Sequence, residues 1–154
     1  MPRPLAFSDH DHASCAAEAL AAAERSCAER GLRLTPVRRA ALGVLLREHK
    51  ALGAYEVLAH LAAAGHGDQP PVAYRALNFL TEAGFAHKIE ALNAYVACAH
   101  VGCSHAPVFL ICTACKAVAE TQMPHDGLSP VARASGFAIK RTVIEATGLC
   151  PACQ

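Results

Sequence analysis

Residues 70–98 read PPVAYRALNFLTEAGFAHKIEALNAYVAC. The first half has a helical period: two prolines open it, Ala73, Ala76, Leu77 and Leu80 share one face, and Gly84 stands where a helix ends. Tyr74, Arg75, Asn78 and Glu82 occupy the other face. After Gly84 the period drops to two, with FAHKIE and AYVAC on either side of Ala91-Leu92-Asn93, which predicts a β-hairpin. Three or four helices followed by a hairpin is the order of a winged helix, whose last helix enters the major groove of DNA with the hairpin beside it.

The preceding residues supply the helices. The Ala-, Leu-, Glu- and Arg-rich stretch from Ala13 to Arg30 favours helix, and Gly31 suits its C-terminal cap. Thr35-Pro36 reads as the cap and first residue of a second helix, with Leu42, Leu45 and Leu46 at helical spacing up to about His49. A third helix is expected from Ala54 to Ala64, stopped by Gly65. Residues 1–12 are polar and without period, and read as a flexible tail.

Beyond the hairpin, residues 99–107, AHVGCSHAP, form a connector dense in possible metal ligands. There follow a predicted strand at Val108–Ile111, a strand through Val118, a helix near Leu128 to Ala134 and a strand from Phe137 to Ile144. The expected fold class is therefore α+β: a winged-helix domain over 13–98, a hinge over 99–107 and a small α+β domain over 108–154.

Charge is consistent with a local DNA surface. The net charge of +1 excludes a globally basic nucleic-acid binder, but residues 30–50 hold six Lys and Arg against the single acid Glu48. The opening MPRPLAFSDHDH has no apolar core of a secretory signal, and no apolar run is long enough to span a membrane. The expected location is the cytoplasm. Paired cysteines in that reducing setting are metal ligands or redox groups before they are disulfides.

Two such pairs, Cys112/Cys115 and Cys150/Cys153, have 34 residues between them. Each makes a knuckle, and together they make the tetrahedral thiolate set that Zn²⁺ prefers. The interval exceeds the roughly 15–20 residues of ordinary zinc ribbons, so a helix and a strand intervene and return. The metal ties together the ends of a domain of about 50 residues, whose apolar burial alone is marginal. Four protein ligands leave no open position for water, which points to a structural rather than a catalytic ion. Cys15, Cys27, Cys98 and Cys103 remain, with His87, His100 and His105 near the last two in sequence.

LTPVRRAAL, GAYEVL, the 70–98 stretch, HAPVFLICTAC and GLCPAC together resemble the ferric-uptake-regulator family of bacterial metal-sensing repressors, most closely its zinc-uptake-regulator branch. The resemblance runs in order over roughly residues 15–153. It implies a homodimer of winged-helix domains joined by hinges to α+β dimerisation domains, with two Zn²⁺ per chain. The structural zinc falls on Cys112, Cys115, Cys150 and Cys153, and the regulatory zinc on His87, Cys98, His105 and Glu120. Operator contact falls on Tyr74 and Arg75 in the recognition helix, and on Arg38 and Tyr55 at the DNA backbone. The implied partners are double-stranded operator DNA and a second copy of the chain, with no membrane and no small-molecule substrate.

Three other readings stand beside this one. A sensor of iron, manganese or peroxide in the same family would favour oxygen and nitrogen ligands, whereas a thiolate at Cys98 favours zinc. A zinc enzyme would need an open coordination position and a general base, for which Glu120 and Glu90 are the few candidates. His100 and Cys103 either contribute to a third metal site or substitute for His105.

Overall fold

A computed structural model describes residues 5–102, 106–122 and 127–154, and in it the first two helices start at side-chain caps. α1 (His12–Arg30) begins at Asp11, whose carboxylate accepts from the Ser14 N–H, and ends at Gly31 in the left-handed region, φ 66°. α2 (Pro36–Leu45) begins at Thr35, whose hydroxyl accepts from the Arg38 N–H. α3 (Ala54–Ala63) is closed by the Glu56 carboxylate, which accepts from the Gly53 N–H at 2.7 Å. α4 (Pro70–Glu82) opens on its two prolines and buries Ala73, Ala76, Leu77 and Leu80. That face packs with Leu42, Leu45, Val57, Leu61 and Phe85 in one apolar core.

α2 is shorter than its periodicity predicts. It stops at Leu45 because the following segment is drawn into extended pairing. Leu52 and Tyr95 exchange backbone hydrogen bonds of 2.9 and 2.8 Å, the His49 carbonyl accepts from the Val118 N–H at 2.9 Å, and Lys50 bridges Ala117. Long-range partners override local helical preference there.

The hairpin is built from β1 (Ala86–Ile89) and β2 (Ala94–Ala97), with His87 opposite Val96 and Lys88 opposite Tyr95. A 3-10 turn at Glu90–Leu92 and Asn93, φ 46°, reverse the chain. Successive side chains of a strand point to opposite faces. Ala86 and Tyr95 accordingly join the helical core, while Ile89 and Val96 join a second core with Phe109, Ile111 and Val118. The hairpin is thus buried on both sides, and it joins the two halves of the molecule.

The second half holds a three-stranded sheet of order β4-β3-β5: β3 (Val108–Cys112) pairs antiparallel with β4 (Val118–Thr121) and parallel with β5 (Ile144–Gly148). α5 (Leu128–Ala134) lies on the crossover to β5, and none of its residues is buried. The strand expected over 137–144 begins only at Ile144. β3 starts at Val108, opposite Ile144, so the residues before Ile144 have passed its end and find no strand to pair with in the sheet. Phe137 is 68% exposed, and with Leu128, Val131, Ile139 and Val143 it lines an open apolar groove.

Of the segment expected as a flexible tail, residues 1–4 lie outside the described residues. Leu5–Phe7 form a 3-10 turn that packs against β4. Among the described residues no helix is long and apolar enough to cross a membrane.

One side chain ties the sheet to the wing. The Glu145 carboxylate of β5 accepts from the Glu90 N–H at 2.7 Å and the Ala91 N–H at 2.9 Å, so it caps the 3-10 turn across the junction. Glu145→Ala is expected to cost about 1–2 kcal/mol, since both donors then face water without a fixed partner. Urea denaturation followed by circular dichroism measures this, and Glu145→Gln, which keeps an acceptor oxygen, should lose less.

Candidate metal centres and the DNA-facing helix

The four knuckle cysteines come together at the end of the β3–β5 pair, with all four sulfur atoms within 4.8 Å of one another. The parallel register carries Cys112 opposite Gly148, and the Thr113 N–H donates to the Gly148 carbonyl at 2.8 Å, so the two knuckles start side by side. Lys116 closes the first knuckle with φ 63°, a conformation for which glycine is preferred, and its ammonium donates to the Thr113 carbonyl at 2.9 Å. Cys115 Sγ and Cys150 Sγ are 3.7 Å apart. A tetrahedron with Zn–S of about 2.3 Å has an edge of about 3.8 Å, so the donor set fits zinc.

The protonation pattern carries the same message. Backbone N–H groups of Cys115 and Cys150 pull the Cys112 thiol down to about 6, while hydrogen bonds with the Cys150 and Cys115 thiols push Cys153 up to about 12. One thiolate is favoured and further negative charge is resisted, so four thiolates together would call for a compensating cation. The seven described cysteines are all free thiols.

A second group forms where the hairpin meets the sheet. His87 lies on the face of β1 that looks toward β3, and its ring meets the Phe109 ring edge-on at 5.3 Å. Glu120 is the cross-strand neighbour of Phe109, which brings its carboxylate to His87 Nε2 at 3.4 Å. Cys98, just past the end of β2, is held by the Phe85 carbonyl and places Sγ 3.9 Å from Glu120 Oε1. The donor atoms of His87, Cys98 and Glu120 all lie within 4.8 Å of one another.

The Glu120 side chain is only 3% exposed, and its second oxygen accepts from the Ala99 N–H at 2.8 Å. His105 and Cys103 lie outside the described residues. His100, for which the sequence leaves open a third site or a substitute for His105, brings Nδ1 to 3.4 Å from Glu120, and its backbone N–H donates to Cys98 Sγ at 3.3 Å. Imidazole, thiolate and carboxylate converging from two domains on one point are donors suited to zinc.

The candidate DNA contacts are on the helical half. Tyr74 and Arg75 sit on the exposed face of α4, and Arg75 Nε donates to the Pro71 carbonyl at 3.2 Å. Tyr55, in the first turn of α3, is 66% exposed. Arg38 places its guanidinium over the Phe79 ring, Cζ 3.8 Å from the centroid, and donates to the Arg33 carbonyl at 2.7 Å, which positions the guanidinium before any ligand arrives. Val72 packs partly into the core from the first turn of α4, and no side chain caps that helix.

The sequence profile of the ferric uptake regulator family matches residues 29–147. The chain belongs to that family. It is 43% identical over 140 residues to the zinc uptake regulation protein of Escherichia coli (strain K12), covering 88% of this chain and 81% of the relative. Its fold superposes on a zinc uptake regulator complexed with zinc and DNA with a TM-score of 0.84 at 42% identity, over 89% of this chain and 93% of the other. Against XcZur it is 40% identical in both forms, yet the TM-score is 0.77 for the holo structure (86% of this chain, 94% of that one) and 0.54 for the apo structure (91% and 98%). At the same identity, the structure superposes better on the holo form than on the apo form.

Within this family member the two thiol-containing groups differ in one respect: the Cys112 group draws on the C-terminal domain alone, whereas the His87 group spans both. If the four cysteines hold a structural zinc, Cys153→Ser leaves three thiols, and the expected result is a C-terminal domain that binds zinc poorly and unfolds or monomerises, since metal binding would then be part of the folding free energy. Metal analysis with size-exclusion chromatography checks this. A folded dimer with normal zinc content would contradict it.

Proposed function

We propose that the protein is a zinc-responsive transcriptional repressor, which binds palindromic operator DNA as a homodimer when a regulatory zinc site is filled and so controls zinc uptake genes. The observation that carries this reading is the convergence of His87, Cys98 and Glu120 from hairpin, connector and sheet. In this reading His105 completes the set, Cys112, Cys115, Cys150 and Cys153 hold a structural zinc, and each chain carries two ions. The division into a winged-helix domain (13–98), a hinge (99–107) and a dimerisation domain (108–154) belongs to the same proposal, as does a cytoplasmic location.

The mechanism is linkage. A ligand set drawn from both domains is complete in only one relative orientation, so zinc stabilises that orientation over all others. Bound zinc supplies the positive charge that neutralises Glu120 and a Cys98 thiolate. The chain's own residues do the rest: the two-faced hairpin transmits the orientation to α4, and the exposed groove of Leu128, Val131, Phe137 and Ile139 offers the apolar surface through which a second copy docks. When the two α4 helices of the dimer lie about one DNA turn apart, roughly 34–36 Å, both enter the major groove. Arg75 then reads a base edge and Tyr74 lies beside it, while Arg38 and Tyr55 contact the backbone.

Family membership argues against the enzyme reading, because this is a family of regulators. A preference for iron or manganese is disfavoured by the thiolate of Cys98.

Cys98→Ser separates sensing from folding. The dimer should stay folded with its Cys112-centred zinc, hold one zinc fewer per chain or bind it much more weakly, and lose most of the zinc-dependent gain in operator affinity. Metal analysis with an operator gel-shift at fixed salt reads both. Wild-type zinc content and response would remove Cys98 from the sensor.

Arg75→Ala should weaken operator binding by about 1–3 kcal/mol, roughly 5- to 150-fold, and binding to random DNA far less. Equal losses on both DNAs would reassign Arg75 to phosphate contact.

A further inference from the structure

Four side chains outside both centres converge at the N-terminus. His10, His12, Cys15 and His49 offer ring nitrogens and a sulfur that all lie within 4.8 Å of one another. His12 and Cys15 are three residues apart in the first turn of α1 and so share a face. His49 comes from the segment after α2, and His10 from the residues before α1.

The details are those of a ligand set rather than a chance gathering of rings. His10 Nδ1 is 3.0 Å from the Ser8 carbonyl, to which it donates, leaving the Nε2 lone pair for the cluster. That Nε2 faces His49 Nε2 at 3.1 Å, close to the roughly 3.3 Å edge of a tetrahedron with Zn–N of about 2.0–2.1 Å. The three rings are tilted to one another by 48–85° rather than stacked. Most telling is His12, whose two ring nitrogens are both sealed from solvent and have no hydrogen-bond partner among the described residues. A buried polar atom without a partner is costly, and a metal ion at the centre of the four donors would take the lone pair of one of these two nitrogens.

We propose that His10, His12, Cys15 and His49 form a further zinc site, with three imidazoles and one thiolate as ligands. Its position gives it a consequence. The His49 carbonyl accepts from the Val118 N–H of β4, and the Leu5–Phe7 turn packs on the same strand. Zinc held there pins the N-terminal segment and α1 to the segment that bridges the two domains, so it favours the same domain arrangement as the hinge centre without sharing a ligand with it.

The test uses the full-length dimer carrying Cys98→Ser, with its Cys112-centred zinc in place, and Co²⁺ as the probe. The expected result is tetrahedral Co²⁺ absorption with a charge-transfer band from a single thiolate. Adding Cys15→Ser should abolish that band, and adding His12→Ala should weaken Co²⁺ binding at least about tenfold. His10→Ala, which lies ahead of α1 and leaves the helix intact, should weaken it in the same way. In the otherwise wild-type dimer, zinc should protect residues 5–15 from proteolysis, and the His12→Ala/Cys15→Ser dimer should lose that protection together with one equivalent of zinc per chain. Identical Co²⁺ spectra and zinc contents in all these variants would overturn the site and leave a hydrogen-bonded histidine cluster. That failure is distinct from failure of the repressor reading, which turns on whether Cys98 governs zinc-dependent operator binding.

Discussion

A carboxylate shut away between two domains is the constraint on which the arrangement turns. Glu120 is almost fully buried, and around it stand His87 from the hairpin, Cys98 and His100 beyond it, and the Ala99 N–H. Burying a charge is expensive unless opposite charge or hydrogen bonds accompany it. These partners come from across the junction, so the carboxylate keeps them only while the hairpin lies against the sheet. A cation shared with His87 and Cys98 would strengthen that dependence.

The same ligand chemistry does different work at different places. The four-cysteine group closes a short sheet whose helix α5 buries nothing, in a domain with a core of few residues. Metal bound there would substitute for missing apolar burial. The His87, Cys98 and Glu120 group contributes little to either core, because its ligands belong to elements that already fold. What metal bound there would select is their mutual placement.

The hairpin makes the coupling mechanical. Its alternate residues are buried in two different cores, so it cannot rotate against one half without disturbing the other. Glu145 reinforces this by holding the hairpin's turn from β5, and the Leu52–Tyr95 pairing extends the wing toward the segment after α2. Tyr74 and Arg75 on α4 lie at the other end of this train of contacts.

Much of this was legible in the chain itself. Thr35, the paired prolines of α4 and Gly31 mark helix ends through caps and fixed dihedrals that act within a few residues. The change of period at Gly84 marks the wing, and the two Cys-x-x-Cys pairs mark a metal centre, because knuckle geometry is local too. Sequence resemblance singled out His87, Cys98 and Glu120, while the fold supplied the reason they meet: His87 shares a strand face with Val96, and Glu120 stands across from Phe109. Other features were decided only by tertiary structure. α2 stops at Leu45, the last strand starts at Ile144, Glu145 reaches the hairpin turn, and His49 meets His10, His12 and Cys15. Each depends on which distant strand or ring is available as a partner, and no local propensity encodes the identity of a partner tens of residues away.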